Sequence, residues 1–231
     1  PQPTNRQMDS EKGAKQRAGF YAVDRFVADD SCIGLGTGST AYFAIERVGA
    51  RIREGLRVRA VPTSRETAEH CRALEIPLVE LGTEPVEVAI DGADEVAPDG
   101  ALIKGGGGAL FREKAVALAA KRFIVIVTER KLVERLGAFP LPLEVVPFSV
   151  RMVAHEVEAL GARVEVRKNG TEPFVSDNGN FILDAHFGTI ERPAELEREL
   201  RALHGLVCTG LFLGLTSKVI VARENGALDE R

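Results

Sequence analysis

The sequence predicts an α/β protein: a doubly wound, mostly parallel sheet with a smaller inserted α+β domain. Two observations predict it. From the N-terminal region to Thr128, short apolar runs alternate with stretches of helical periodicity, the pattern of successive βαβ units. After about Gly137 the order becomes strand, helix, strands, helix, strand, before two last apolar runs near the C terminus.

Each element has its own signal. Lys12 to Val27 places Phe20, Val23 and Val27 on one helical face. Ser31 to Leu35 is an apolar run punctuated by glycine, a buried strand, and a helix follows from about Ser39 to Arg53. Leu56 to Val61 is the next strand. Ser64 then caps a helix, with Thr67 where a capping box would put Glu. Val86 to Ile90 is a strand running into Asp91-Gly92-Ala93-Asp94, and Ala109 to Lys121 is helical. Phe123 to Val127 is a β-branched apolar run suited to a strand covered on both faces.

Beyond Gly137, Phe139-Pro140-Leu141-Pro142-Leu143 reads as a proline-punctuated crossover, and Val145, Val146 and Phe148 as a strand. Val150 to Leu160 is a helix ended by Gly161. Val164 to Arg167 and Phe181 to Asp184 are strands joined through Asn169-Gly170 and Asp177-Asn178-Gly179 turns. Pro193 to Leu203 is a helix with proline near its start. Leu211 to Leu213 and Val219 to Ala222 are expected to be strands that rejoin the first domain. The expected domains are therefore residues 9–136 with 209–231, and residues 137–208, the latter in a ferredoxin-like order.

Composition narrows the function. The 231 residues carry 30 Lys and Arg against 34 Asp and Glu, a formal charge of −4. This disfavours a nucleic-acid surface, which needs clustered positive charge. It does not exclude an anionic substrate, which needs positive charge only locally. Hydrophobic residues make up 45 % of the chain, enough for an ordinary buried core. Cys32, Cys71 and Cys208 lie far apart and read as reduced thiols in a reducing compartment. His70, His155, His186 and His204 have no metal-ligand spacing, so no metal is expected. No membrane span and no signal peptide are expected. Pro1 to Gln7 are polar and read as a remnant foreign to the protein, with Met8 the expected natural start.

Three loops carry candidate chemistry. Gly34-Leu35-Gly36-Thr37-Gly38-Ser39-Thr40 joins a strand to a helix, and its N–H groups and hydroxyls suit an anion such as phosphate. It matches neither the P-loop nor a clean dinucleotide fingerprint, and an unliganded turn is the plain alternative. Asp91-Gly92-Ala93-Asp94-Glu95 follows a strand end, where open α/β sheets bind ligands. Its two aspartates could hold sugar hydroxyls, shuttle protons or simply cap a turn. Lys104-Gly105-Gly106-Gly107-Gly108 precedes a helix that carries Glu113 in its first turns. Such a loop suits backbone approach to a developing oxyanion, although Glu113 alone reads more readily as a solvated helix-start acid. A doubly wound sheet places such βα loops at one edge.

Taken together, Gly-Leu-Gly-Thr-Gly-Ser-Thr, Asp-Gly-Ala-Asp-Glu, and Lys-Gly-Gly-Gly-Gly-Ala-Leu followed by Arg-Glu-Lys resemble ribose-5-phosphate isomerase of the A type. The resemblance continues through Phe139 to Val145, Asp177-Asn178-Gly179-Asn180 and Gly210-Leu211-Phe212, and spans about Lys12 to Ala222. It implies interconversion of ribose 5-phosphate and ribulose 5-phosphate through a cis-enediolate, without cofactor. It further implies that Thr37, Gly38, Ser39 and Thr40 bind substrate, and that Asp91, Gly92, Ala93 and Asp94 contact the sugar and assist ring opening. Lys104 with Gly105, Gly106 and Gly107 would stabilise the enediolate, Glu113 would be the catalytic base, and Lys131 would bind substrate. It implies a homodimer, sometimes a dimer of dimers, in the cytoplasm.

This chain departs from the family in two places. Gly107-Gly108 stand where Ala or Gly-Ala is common, which should loosen the loop slightly. Gln16 and Arg17, with Lys15 beside them, stand where an N-terminal lysine pair can reach the phosphate. Three rival readings fit less well. A nicotinamide-dependent dehydrogenase would place an acid at the end of the second strand, where Val61-Pro62-Thr63 stands. A sugar-phosphate-sensing domain of a transcription regulator would need a helix-turn-helix and a basic face. A coenzyme A transferase-like enzyme is the most remote.

Overall fold

A computed structural model describes residues 5–231, with side chains from Glu11 onward. The expected remnant Pro1 to Gln7 lies, for residues 1–4, outside the described residues. In chain order the elements are α1 (Asn5–Phe26), β1 (Ser31–Leu35), α2 (Ala41–Arg53), β2 (Val58–Pro62), α3 (Arg65–Ala73), β3 (Val88–Asp91), β4 (Glu95–Val96), β5 (Leu102–Ile103), α4 (Leu110–Ala119) and β6 (Phe123–Thr128). They continue with β7 (Leu141–Val145), α5 (Val150–Ala159), β8 (Arg163–Val166), β9 (Lys168–Asn169), β10 (Glu172–Pro173), β11 (Phe181–His186), α6 (Pro193–Arg201), β12 (Leu206–Thr209), β13 (Leu211–Phe212), β14 (Lys218–Ala222) and β15 (Leu228–Glu230). Contacts divide the chain into two compact units. The first holds residues up to Gly92 with 115–132 and 215–231; the second holds 93–114 and 133–214.

In the first unit a six-stranded sheet runs β15-β14-β6-β3-β1-β2. Every neighbouring pair is parallel except the β14–β15 edge. The chain leaves β1 for β2 on one side and returns to β3 on the other. The sheet therefore reverses its winding between β1 and β3, and loops at their carboxyl ends border the crevice that ligands use in such sheets. All residues of β1 and β6 are buried, as their continuous apolar runs require. The α1 stripe that reaches deepest is Ala14, Ala18 and Ala22, with Val23; Phe20 is only half-buried and Val27 packs at the margin. Small side chains at i, i+4 and i+8 let α1 lie close on α2 and the sheet.

The second unit contains a four-stranded antiparallel sheet, β12-β7-β11-β8, with α5 and α6 as its crossovers. This is the ferredoxin-like order. Leu141, Leu143, Val145, Val153, Val157, Leu183 and Leu200 form its core. A separate three-stranded sheet, β13-β5-β4, belongs to the same unit.

Five elements differ from expectation. Leu211 and Phe212, expected to rejoin the first domain, pair antiparallel with β5 in the second unit instead. The strands β4 and β5, two residues each, are too short to show a period. The proline-rich crossover is itself strand β7. Pro142 is tolerated near its start, where the Pro142 carbonyl accepts the Gly210 N–H at 2.7 Å. Phe148, read as strand, sits in a single 3-10 turn and is fully exposed.

The Asp177-Asn178-Gly179-Asn180 turn and Ser176 before it supply donors to one oxygen of a buried carboxyl group. Glu144 on β7 is fully buried, and its Oε1 accepts from Ser176 Oγ at 2.8 Å, Asn178 Nδ2 at 3.1 Å and Asn180 Nδ2 at 2.9 Å. The residue types of that turn are thus set by Glu144 as well as by turn geometry.

Gly34, mid-strand in β1, faces Val116 of α4 and Ala89 of β3 so closely that a Cβ would overlap the Val116 methyl. Gly34→Ala should therefore destabilise the protein by about 1–3 kcal/mol through overpacking, read as a lower urea midpoint. An unchanged midpoint would show that this contact yields freely.

Candidate active site

The first cluster forms at the switch point of the first unit. Gly36 continues β1, its N–H bonded to the Ile90 carbonyl at 2.9 Å. A Cβ on Gly36 would overlap the Asp91 carboxylate, so only glycine leaves room for that side chain. Asp91 is buried at the end of β3, and its Oδ1 accepts the N–H groups of Gly92 at 2.7 Å and Thr37 at 3.2 Å. Bonds of this kind favour the ionised carboxylate. Gly38 turns the chain at φ +111, a conformation open to glycine, and exposes the loop towards Ser39 and Thr40. Thr40 precedes α2 without a side-chain cap, so its hydroxyl does not satisfy the helix's first N–H groups.

Thr37 turns inward. Its hydroxyl lies 2.7 Å from Thr63, 2.9 Å from Ser64 and 3.1 Å from Thr67. One proton order satisfies the group. The Gly36 carbonyl can only accept, so Thr67 donates to it at 2.9 Å; Ser64 donates to Thr67 at 3.0 Å, Thr37 to Ser64, and Thr63 to Thr37. Ser64 also caps α3 by accepting the Thr67 N–H at 2.9 Å, as the sequence predicts. This buried hydroxyl chain locks the glycine loop to the start of α3. Sequence reading saw Ser64 and Thr67 only as a cap and passed over Thr63.

Of the N-terminal cations, Arg17 donates to the Arg223 carbonyl at 2.9 Å and so points to the β14–β15 turn. Lys15 pairs with Glu11 at 2.8 Å. The Glu11 carboxyl is held below its usual range by that Lys15 hydrogen bond first, with the charges of Arg130 and Lys131 adding to it. The charges of Lys15 and Lys131 thus both act on one carboxylate. Lys131 itself ends the 3-10 turn that follows β6.

The second cluster belongs to the second unit, which begins at Ala93. Asp94 accepts the Gly106 N–H at 2.8 Å, joining the aspartate loop to the glycine loop. Lys104 follows β5, and its backbone N–H is held by the Gly210 carbonyl at 2.9 Å. Lys104 Nζ lies 3.4 Å from Glu113 Oε1, and both side chains are buried, with 3 % and 6 % of their surface exposed. The Phe212 ring stands 5.6 Å from Lys104 Nζ and 5.1 Å from Lys114 Nζ, a cation–π arrangement that sequence reading missed. Gly108 has φ +79, and a Cβ there would overlap the Phe174 ring. Gly108 packs against Phe174, and an alanine there would be strained.

Burial holds the Cys71 and Cys208 thiols at about 11, so neither is a thiolate nucleophile. What the second cluster offers is a buried carboxylate beside a buried ammonium, a further aspartate and glycine-loop amides. That set serves proton transfer next to a carbonyl with stabilisation of the resulting oxyanion.

Thr37→Val removes the hydroxyl at the centre of the four-residue chain while keeping its shape. Stability should fall by about 1–3 kcal/mol, because buried partners lose their bonds, and Thr37→Ser should restore most of it. Urea unfolding of both variants checks this.

A model of the family described as ribose 5-phosphate isomerase A (phosphoriboisomerase A) matches residues 59–226. The chain is 47 % identical over 214 residues to "Ribose-5-phosphate isomerase A" of Bacillus mycoides, covering 92 % of this chain and 96 % of that one. A solved ribose 5-phosphate isomerase A from Methanocaldococcus jannaschii superposes with TM-score 0.91 at 39 % identity, covering 96 % of this chain and 99 % of that one. A further D-ribose-5-phosphate isomerase, solved in complex with phospho-erythronic acid, gives TM-score 0.91 at 37 % identity over 95 % of this chain and 98 % of that one. With a family model matching residues 59–226 and relatives 47 % identical over nearly the whole chain, the chain belongs to the ribose 5-phosphate isomerase A family.

Proposed function

We propose that this protein interconverts D-ribose 5-phosphate and D-ribulose 5-phosphate through a cis-enediolate, without cofactor or metal, in the non-oxidative pentose phosphate pathway. Glu113 takes the C2 proton of the open-chain aldose, and the electron pair moves towards the carbonyl oxygen O1. Lys104 and the amides of Gly105, Gly106 and Gly107 meet the developing charge. Protons exchange between O1 and O2 with help from Asp91 and Asp94, and Glu113 returns its proton to C1. Gly92 and Ala93 carry the backbone between those aspartates. The phosphate is held by Ser39, Thr40 and the N–H groups of the Gly38 loop, whose shape Thr37 maintains, with Lys131 and Lys15 as cations. Residues 9–136 with 209–231 act as the catalytic domain, and 137–208 as the smaller domain.

The observation that carries this reading is the buried pair of Lys104 and Glu113 at 3.4 Å. A charged pair so desolvated is costly to maintain, which is explained if its carboxylate serves as base and its ammonium as charge stabiliser. Its test is formation of ribulose 5-phosphate from ribose 5-phosphate by protein treated exhaustively with EDTA, with no addition. Glu113→Gln should then lower kcat by about 10²-fold or more while KM changes little. It should also abolish exchange of the C2 proton with deuterated solvent. Turnover within about threefold of the parent would remove Glu113 from the chemistry.

The partner of this chain is a second copy of itself, as a homodimer or a dimer of dimers, in the cytoplasm. Three unpaired cysteines, all buried, support the reducing compartment. A fully exposed Phe148, with Val146 and Met152 also exposed beside it in sequence, supports a covered apolar face on the second unit. Phe148→Asp should shift the mass measured by light scattering towards the monomer. An unchanged mass would place the contact elsewhere.

A further inference from the structure

We propose that Arg167 is a positioning residue that aims the peptide units of the glycine loop at the reacting sugar; this rests on the isomerase chemistry assigned above. Arg167 Nε and Nη2 engage Asp184 Oδ2 at 2.9 Å and Oδ1 at 2.5 Å, a bidentate pair that fixes the guanidinium plane. That leaves Nη1, which donates to the carbonyls of Gly105 at 2.9 Å and Gly106 at 3.0 Å. Both acceptors belong to the loop that follows Lys104.

In a trans peptide the C=O and N–H point in opposite directions. The Gly105 carbonyl shares its peptide with the Gly106 N–H, and the Gly106 carbonyl shares its peptide with the Gly107 N–H. Drawing both oxygens onto one nitrogen therefore turns both N–H groups away from Arg167. The first consequence is visible: the Gly106 N–H meets Asp94 Oδ2 at 2.8 Å. The second N–H belongs to Gly107, which is exposed. A cation on the carbonyl side also polarises each peptide, strengthening the Gly106 bond to Asp94 and making the Gly107 N–H a stronger donor to a developing enediolate.

The arrangement is specific to arginine. One flat group satisfies a carboxylate with two nitrogens and two carbonyls with the third, which an ammonium cannot do in fixed geometry. It is also braced. The Phe174 N–H donates to the Arg167 carbonyl at 2.8 Å, the guanidinium lies 5.9 Å from the Phe174 ring centroid, and that ring fills the space a Cβ on Gly108 would need. Four glycines in a row would otherwise sample many conformations. Arg167 and Phe174 select one.

The test is steady-state kinetics of Arg167→Ala with and without guanidinium ion at millimolar concentration. We expect kcat to fall by about tenfold to a hundredfold, the loss of one aligned oxyanion donor, with KM within about threefold. Guanidinium should restore activity to the variant and leave the parent unaffected, which a merely structural loss would not show. A folded variant with parental kcat, or a loss that guanidinium does not reverse, overturns the proposal. Should circular dichroism show Arg167→Ala unfolded, Arg167→Lys decides instead: a tenfold fall in kcat at constant KM supports the assignment, and parental kcat refutes it. An inactive parent enzyme would defeat the isomerase reading itself, separately from Arg167.

Discussion

The carboxylate of Asp91 stands in the space that a Cβ on Gly36 would fill, and the first unit's chemistry hangs on that one steric fact. A Cβ at position 36 would overlap Asp91 Oδ1 and stand 2.6 Å from Asp91 Cβ, so a side chain there and this carboxylate cannot both be accommodated. Removing one side chain lets the other accept the N–H groups of Thr37 and Gly92. The Thr37 backbone is then tied to β3 and its hydroxyl to Thr63, Ser64 and Thr67. The loop that faces the crevice is consequently held from both sides, and Ser39 and Thr40 are carried on a rigid base.

The second unit solves a different problem, the burial of charge. A desolvated carboxylate or ammonium is unfavourable unless other groups replace its water. Glu144 receives three side-chain donors, and Glu95 receives the N–H groups of Gly137 at 2.7 Å and Phe139 at 2.5 Å. Arg167 is matched by Asp184, and Lys114 by Glu197 and Thr209. Lys104 and Glu113 are the pair among these that the proposed reaction uses. The surrounding matched charges hold the segments from Lys104 to Lys114 in a single geometry. Exposed pairs such as Arg57–Asp29 contribute far less, because water and salt screen them.

Local signals were read well where they are strong. Ser31–Leu35 was legible to the residue, because a continuous apolar run bounded by polar turns has one reading in an α/β chain. Ser64 as a cap, Pro193 at a helix start and Gly161 beyond a helix end were equally plain, since each rests on backbone geometry within one turn. Proline misled at Leu141–Val145, where a neighbouring carbonyl-to-amide bond accommodates it in a strand. The pairing of β13 with β5 was not legible, because two-residue strands have no period and their partners lie more than a hundred positions apart. This is also why residues 93–114 join the second compact unit although the sequence groups them with the first expected domain.

The sequence by itself determined the alternation of strands and helices, the ferredoxin-like order of the later segment, and the loops that carry Thr37, Asp91, Lys104 and Glu113. Those features are written in local composition, where spacing, glycine and proline act within a few residues. Only the tertiary structure decided which groups meet. It turned the Thr37 hydroxyl inward, sent Arg17 to the Arg223 carbonyl, set Phe174 against Gly108, and brought Arg167 to the glycine loop. Each of these contacts joins residues far apart in the chain. Their geometry comes from sheet register and core packing, which no local pattern encodes.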